Sequence, residues 1–149
     1  MDTNRIDKEI LLHAAPSRVW RALTDAGEFG TWFRVKLDAA FAVGRRVTGH
    51  VTYPGYEHLT FEVTVERMDP EDYFSFRWHP YAIDPSIDYS AEPTTLVEFR
   101  IEAVEGGTLL KVTESGFERI PAGRRAEAIR MNDGGWATQI NNIRDHVAR

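Results

Sequence analysis

Residues 121–149 read PAGRRAEAIRMNDGGWATQINNIRDHVAR, and this stretch decides the fold. Ile129, Trp136, Ile140, Ile143 and Val147 recur at spacings of seven, four, three and four. Those spacings place them on one stripe of a long helix beginning near Pro121. A terminal helix with one apolar face must bury it, and a curved sheet is the available partner. A sheet wrapped around a helix is expected to leave a hollow, whose lining is where function is sought.

Upstream, Val35 to Ser115 reads as mostly antiparallel β-structure. Val47, Gly49, Val51 and Tyr53 alternate with polar residues, as do Leu59, Phe61, Val63 and Val65. The same period runs through Phe74, Phe76 and Trp78, then Val97, Phe99 and Ile101, then Leu110 and Val112. One wet face and one covered face is the antiparallel signature. Pro54-Gly55, Asp69-Pro70 and Gly106-Gly107 mark turns, the last suited to a tight hairpin. Tyr81 to Pro93 holds two prolines, several acids and two tyrosines without a clean period. It reads as a long loop, and long ordered loops are commonly functional.

At the start, Arg5 to His13 reads as a first strand around Ile6, Ile10 and Leu12. Pro16 suits a first helical turn, where its missing N–H goes unneeded. Asp25 is a good N-cap for a second short helix carrying Phe29, Trp32 and Phe33. Two helices this short connect the first strand to the rest of the sheet.

The 149 residues suit a single domain, 1–149. Net charge is −5 with both signs interspersed, which leaves no electrostatic footprint for nucleic acid. The absence of cysteine excludes disulfides, thiolate catalysis and cysteine-held zinc. Met1 to Ile10 lacks the apolar run of a signal peptide, and no stretch approaches the length of a membrane span, so a cytoplasmic location without membrane insertion is expected. The phosphate-loop, dinucleotide and nucleophile-elbow motifs are all missing. His13, His50, His58, His79 and His146 show no helical ligand spacing, so neither metal nor cofactor is expected.

The ordered set Pro16-Ser17-Arg18-Val19-Trp20-Arg21-Ala22-Leu23-Thr24, Trp32-Phe33, Phe76-Arg77-Trp78, Val97-Glu98-Phe99, Gly107-Thr108, Thr113-Glu114-Ser115-Gly116-Phe117 and Gly135-Trp136 resembles one family. It is the activator of Hsp90 ATPase homologue 1-like family, within the START and Bet v 1-like (SRPBCC) helix-grip superfamily. The resemblance implies an α+β fold: a seven-stranded curved antiparallel sheet around a long C-terminal helix, with two short helices after strand 1. It is poor on function, because relatives include lipid carriers, cyclases, aromatases, hormone receptors and co-chaperone domains. The eukaryotic activator also carries a separate Hsp90-engaging domain to which nothing here corresponds, so Hsp90 ranks last among expected partners.

Candidate ligand-binding residues are Trp32, Phe33, Phe61, Phe76, Trp78, Phe99, Val112, Glu114, Asp133, Trp136 and Ile140. The aromatics share the inward phase of their elements, and a closed core would use the same residues. Glu114 continues the inward phase of Leu110 and Val112 and is the catalytic candidate, because an inward carboxylate is the type of group general acid–base chemistry uses. Its plain alternative is a strand-end hydrogen bond. Asn132 and Asp133 flank the helix stripe, where they line the cavity mouth or fasten the helix to a nearby loop. Gly134-Gly135 suggests a kink or a close backbone approach. Arg124 and Arg125 read as a solvated face.

The leading expectation is a module that binds a small apolar or aromatic molecule or a lipid between sheet and helix, as a monomer or homodimer. The alternatives are a cofactor-independent cyclase or dehydratase acting on a polyketide-like substrate, and a chaperone-linked interaction domain.

Overall fold

A computed structural model describes residues 4–148. The elements run β1 (Arg5–Leu12), α1 (Pro16–Thr24), α2 (Ala26–Phe33), β2 (Val35–Leu37), β3 (Arg46–Val51), β4 (Thr60–Asp69), β5 (Tyr73–Trp78), β6 (Thr95–Val104), β7 (Gly107–Ser115) and α3 (Ala122–Val147). One antiparallel sheet carries the strands in the order β1-β7-β6-β5-β4-β3-β2. The α+β helix-grip architecture expected above is therefore present. β1 and β2 are the opposite edges, and α1 and α2 carry the chain from one to the other.

Local chemistry sets the helix boundaries. Pro16 opens α1. The Asp25 carboxylate accepts the Glu28 N–H at 2.9 Å and caps α2. Arg34 closes α2 in a left-handed conformation, with its N–H on the Gly30 carbonyl. Trp32 donates its indole N–H to the Ala22 carbonyl at 2.8 Å, which fixes α2 against α1. Gly107 must be glycine, because at φ 151 a Cβ there would lie 2.0 Å from the Leu12 carbonyl oxygen of β1.

Three strand details depart from simple alternation. β3 stops at Val51 and β4 starts at Thr60, so Tyr53 and Leu59 belong to the connection. A bulge in β4 lets Val65 face Phe76 and Arg67 face Ser75, leaving Glu66 as the extra residue. On the convex face Tyr73 and Ser75 are buried although their phase is outward. The Arg67 and Arg100 guanidinium groups lie 4.6 and 4.8 Å from the Tyr73 ring centre. Its hydroxyl donates to Glu98 at 2.6 Å. Burial, with the Glu98 hydrogen bond second, pushes the Tyr73 phenol above its ordinary range.

α3 lies across the concave face and buries Ala128, Trp136, Ile143 and Val147, with Ile129 and Ile140 partly covered. The expected hollow beneath it is filled. The space bounded by Trp32, Phe99, Leu110, Val112, Trp136 and Ile143 has no room for a water molecule. Phe99 and Trp136 meet edge to face at 5.8 Å, and Trp78 and Trp136 stand 5.8 Å apart.

Gly134 and Gly135 produce neither of the expected effects. α3 is a continuous helix through both, and a Cβ at either position would meet nothing within 4 Å. Gly134→Ala and Gly135→Ala should therefore each stabilise the fold by about 0.5–1 kcal/mol, a rise in Tm of about 1–4 °C. Thermal unfolding checks this, and a fall in Tm would reveal a constraint on the bare backbone.

Glu28 joins all three helices. It accepts from Arg18 and Arg21 of α1, the latter at 2.8 Å, and from His146 of α3 at 2.9 Å. Burial favours its neutral form, but the hydrogen bonds from His146 and Arg18, the Arg18 charge and the Arg21 contact outweigh it and hold the carboxyl below the ordinary glutamate value. A lowered carboxylate contributes stability above its unfolded pKa and loses it as pH falls through the folded value. Glu28→Gln should cost about 1 kcal/mol at neutral pH. The wild-type advantage should shrink as pH falls below 4.5, as measured by urea unfolding across pH.

Candidate functional site

Glu114, next to last in β7, pairs across the sheet with Ile6 of β1 and Val97 of β6 and is 0% exposed. One carboxylate oxygen accepts from the Trp78 indole at 2.8 Å and the Thr95 hydroxyl at 2.6 Å. The other accepts from the Trp136 indole at 2.9 Å, and the Asn132 amide reaches both at 3.0 and 3.1 Å. All four partners are neutral donors on three different elements. An ionised carboxylate accepts only, so it is the form these partners complement.

On the outer side of Trp78 and Asn132 lies a cleft of about 390 Å³, open to solvent. Phe33 of α2, Phe61 of β4 and Trp78 of β5 form its aromatic wall, and Tyr81 and Tyr89 of the following loop face them. Val51, Leu59 and Ala82 add apolar surface, while His79, Asp88 and Ser90 supply polar edges.

The loop over this cleft is held by specific bonds. Arg124, in the first turn of α3, donates to Glu92 at 2.7 and 3.0 Å and to the Pro80 carbonyl at 2.7 Å, and its guanidinium lies 4.8 Å from the Tyr89 ring centre. It is a loop anchor, which corrects the expectation of a solvated face. Arg125 likewise turns back to the Ile120 and Glu118 carbonyls. Asp84 and Asp88 accept the N–H groups of Ser86 and Ser90 in two tight turns, both at 2.9 Å. Hydrogen bonds from the Ser90 side chain and backbone hold the Asp88 carboxyl below the usual range.

The candidate residues thus divide. Phe33, Phe61 and Trp78 line the cleft. Trp32, Phe76, Phe99, Val112 and Trp136 are buried core residues, and Ile140 packs against that core. Asp133 is exposed and pairs with Lys8 of β1 at 3.0 Å, away from the cleft, because its position on α3 points to the sheet edge. Its neighbour Asn132 both lines the cleft and bonds Glu114. Glu114 itself is walled off by Trp78 and Asn132. His79, whose phase reads as outward, lies in the cleft edge because β5 ends at Trp78 and the alternation ends with it. Among the described residues no group of three His, Asp or Glu side chains gathers as a metal site.

Residues 13–148 match the family described as activator of Hsp90 ATPase homolog 1-like protein. The chain belongs to that family. Among solved structures, protein MLL2253 of Mesorhizobium loti is 22% identical with a TM-score of 0.76, over 97% of both chains. The Aha1 dimer of Colwellia psychrerythraea is 19% identical with a TM-score of 0.70, over 96% of this chain and 95% of that one. DynU16, from the dynemicin biosynthetic locus, is 20% identical with a TM-score of 0.75, over 99% of this chain and 48% of that one. These likenesses show a shared fold. No curated protein matches the sequence.

In this family member, Glu114→Gln keeps the side-chain shape but turns an amide NH2 toward the indole N–H of Trp78 or of Trp136, whichever oxygen it replaces, and an indole can only donate. Leaving a buried donor unmet costs about 1–3 kcal/mol. Denaturant unfolding should show a loss of that order, with altered tryptophan fluorescence from Trp78 and Trp136. Wild-type stability in the variant would remove the structural role given to this carboxylate.

Proposed function

We propose that this chain binds a small, largely apolar or aromatic molecule in the cleft between β4, β5, the end of α2 and the loop after β5. One observation carries the reading. The centre of the fold is full, yet about 390 Å³ remains open at its mouth, walled by Phe33, Phe61, Trp78, Tyr81 and Tyr89. A space of this size with aromatic walls and a rim of polar groups is a usual form of a small-molecule site. The binding position moves outward from the space between sheet and helix, which the core side chains occupy.

A cyclase or dehydratase role for Glu114 receives no support from its surroundings. Both oxygens are engaged, and Trp78 and Asn132 stand between it and any guest in the cleft. Glu114 serves the cleft by fixing two of its wall residues.

A neutral naphthalene derivative, 1-naphthylmethanol, should quench or shift tryptophan fluorescence in a saturable titration, because Trp78 lies in the wall. Ala82→Trp, which fills the cleft from the loop side, should abolish that response while leaving thermal stability close to wild type. Equal binding by wild type and Ala82→Trp would place the probe elsewhere and overturn the assignment.

A further inference from the structure

We infer that the cleft discriminates by charge, taking a flat apolar body that carries a positively charged nitrogen in preference to an anionic counterpart such as a fatty acid or aryl carboxylate. This rests on the binding role proposed above and adds the chemical class of the guest.

The charges around the cleft are one-sided. Among the described residues, no lysine or arginine lines it, whereas Asp88 and Glu62 do. Glu62 is paired with Arg46 at 2.9 Å on the outer face, so Asp88 is the carboxylate left to act at the rim. Its hydrogen-bond partners there are the Ser90 N–H and hydroxyl, which fix its position, and the imidazole of His79 at the same cleft edge is the one basic group whose charge acts on it.

A second negative group lies behind the wall. Glu114 is hydrogen-bonded to Trp78 and Asn132, both of which also face the cleft. Its four partners are neutral, so its charge is not cancelled by a neighbouring cation, and a buried charge is weakly screened. Arg124, which anchors the loop, is committed to Glu92 and to backbone carbonyls. His79 is held by its ring nitrogen on the Glu92 carbonyl at 3.1 Å.

The aromatic wall adds a third contribution of the same sign. Indole and phenol rings present negative π-faces, which attract an ammonium and repel a carboxylate. Trp78 and Tyr81 border the same space as Asp88, so a cation seated there meets rings and carboxylate together, whereas the Tyr89 ring already holds the Arg124 guanidinium. An anion placed in it meets no compensating lysine or arginine.

The test uses probes with one ring system and different charge: 1-naphthylmethyl-trimethylammonium, neutral 1-naphthylmethanol and 1-naphthylacetate. Binding is measured by calorimetry and tryptophan fluorescence at pH 8 and low salt, with wild type, Asp88→Asn and Ala82→Trp. The cation should bind about tenfold or more tighter than the anion, with the neutral probe between them. Asp88→Asn should narrow the cation–anion ratio by about threefold and leave the neutral probe unchanged. An anion that binds as well as or better than the cation overturns the charge preference, even if the neutral probe confirms the cleft. A ratio unchanged in Asp88→Asn removes the rim carboxylate from the mechanism. Failure of all probes to bind would remove the cleft as a binding site and this inference with it.

Discussion

The structure turns on a buried carboxylate that must be met by donors. Moving a carboxylate out of water costs several kcal/mol unless hydrogen bonds replace its hydration. Glu114 obtains them from β5 through Trp78, from the start of β6 through Thr95, and from α3 through Asn132 and Trp136. Asn132 and Trp136 are one helical turn apart and present one face of α3. Sliding or rotating α3 would break both bonds at once, so the carboxylate fixes the helix position that the apolar stripe alone leaves less sharply defined.

The same constraint decides where free space lies. The two indoles that satisfy Glu114 are large, and they meet each other and Phe33 over the concave face. A fold that could enclose a central cavity instead fills it with the groups its buried charge requires. The remaining volume is displaced to the mouth, where the loop after β5 forms the far wall. Arg124 then matters as much as any lining residue, since it ties that loop to the helix that Glu114 holds in place.

The sequence makes the element order plain, and for identifiable reasons. Alternation in β4 and β6, Pro16 at a helix start, Asp25 as a cap and the stripe of α3 are local signals. The inward direction of Glu114 follows from the phase of β7. The identity of its partners does not, because Thr95 and Asn132 meet it only through the tertiary fold. The burial of Tyr73 is hidden for the same reason: Arg67 and Arg100 cover it from neighbouring strands, with help from a bulge that no period reveals. Arg124 looks like a surface charge until Glu92 and the Pro80 carbonyl are brought beside it. Whether aromatic residues line or fill a centre depends on how closely helix and sheet approach, a distance that composition does not encode.

The placement of β1 and β2 at opposite margins of the sheet has a consequence for assembly of the chain. The strands from β2 to β7 follow one another as neighbours, so their pairings close over short separations and can form early. The β1–β7 ladder instead joins Arg5 to Ser115, and closing so long a loop is entropically slow. Until that final seam is made, β7 presents an open row of backbone donors and acceptors, an invitation to pair with another copy. The eight-residue strand near the amino terminus therefore acts as a latch against self-association as well as a piece of the sheet.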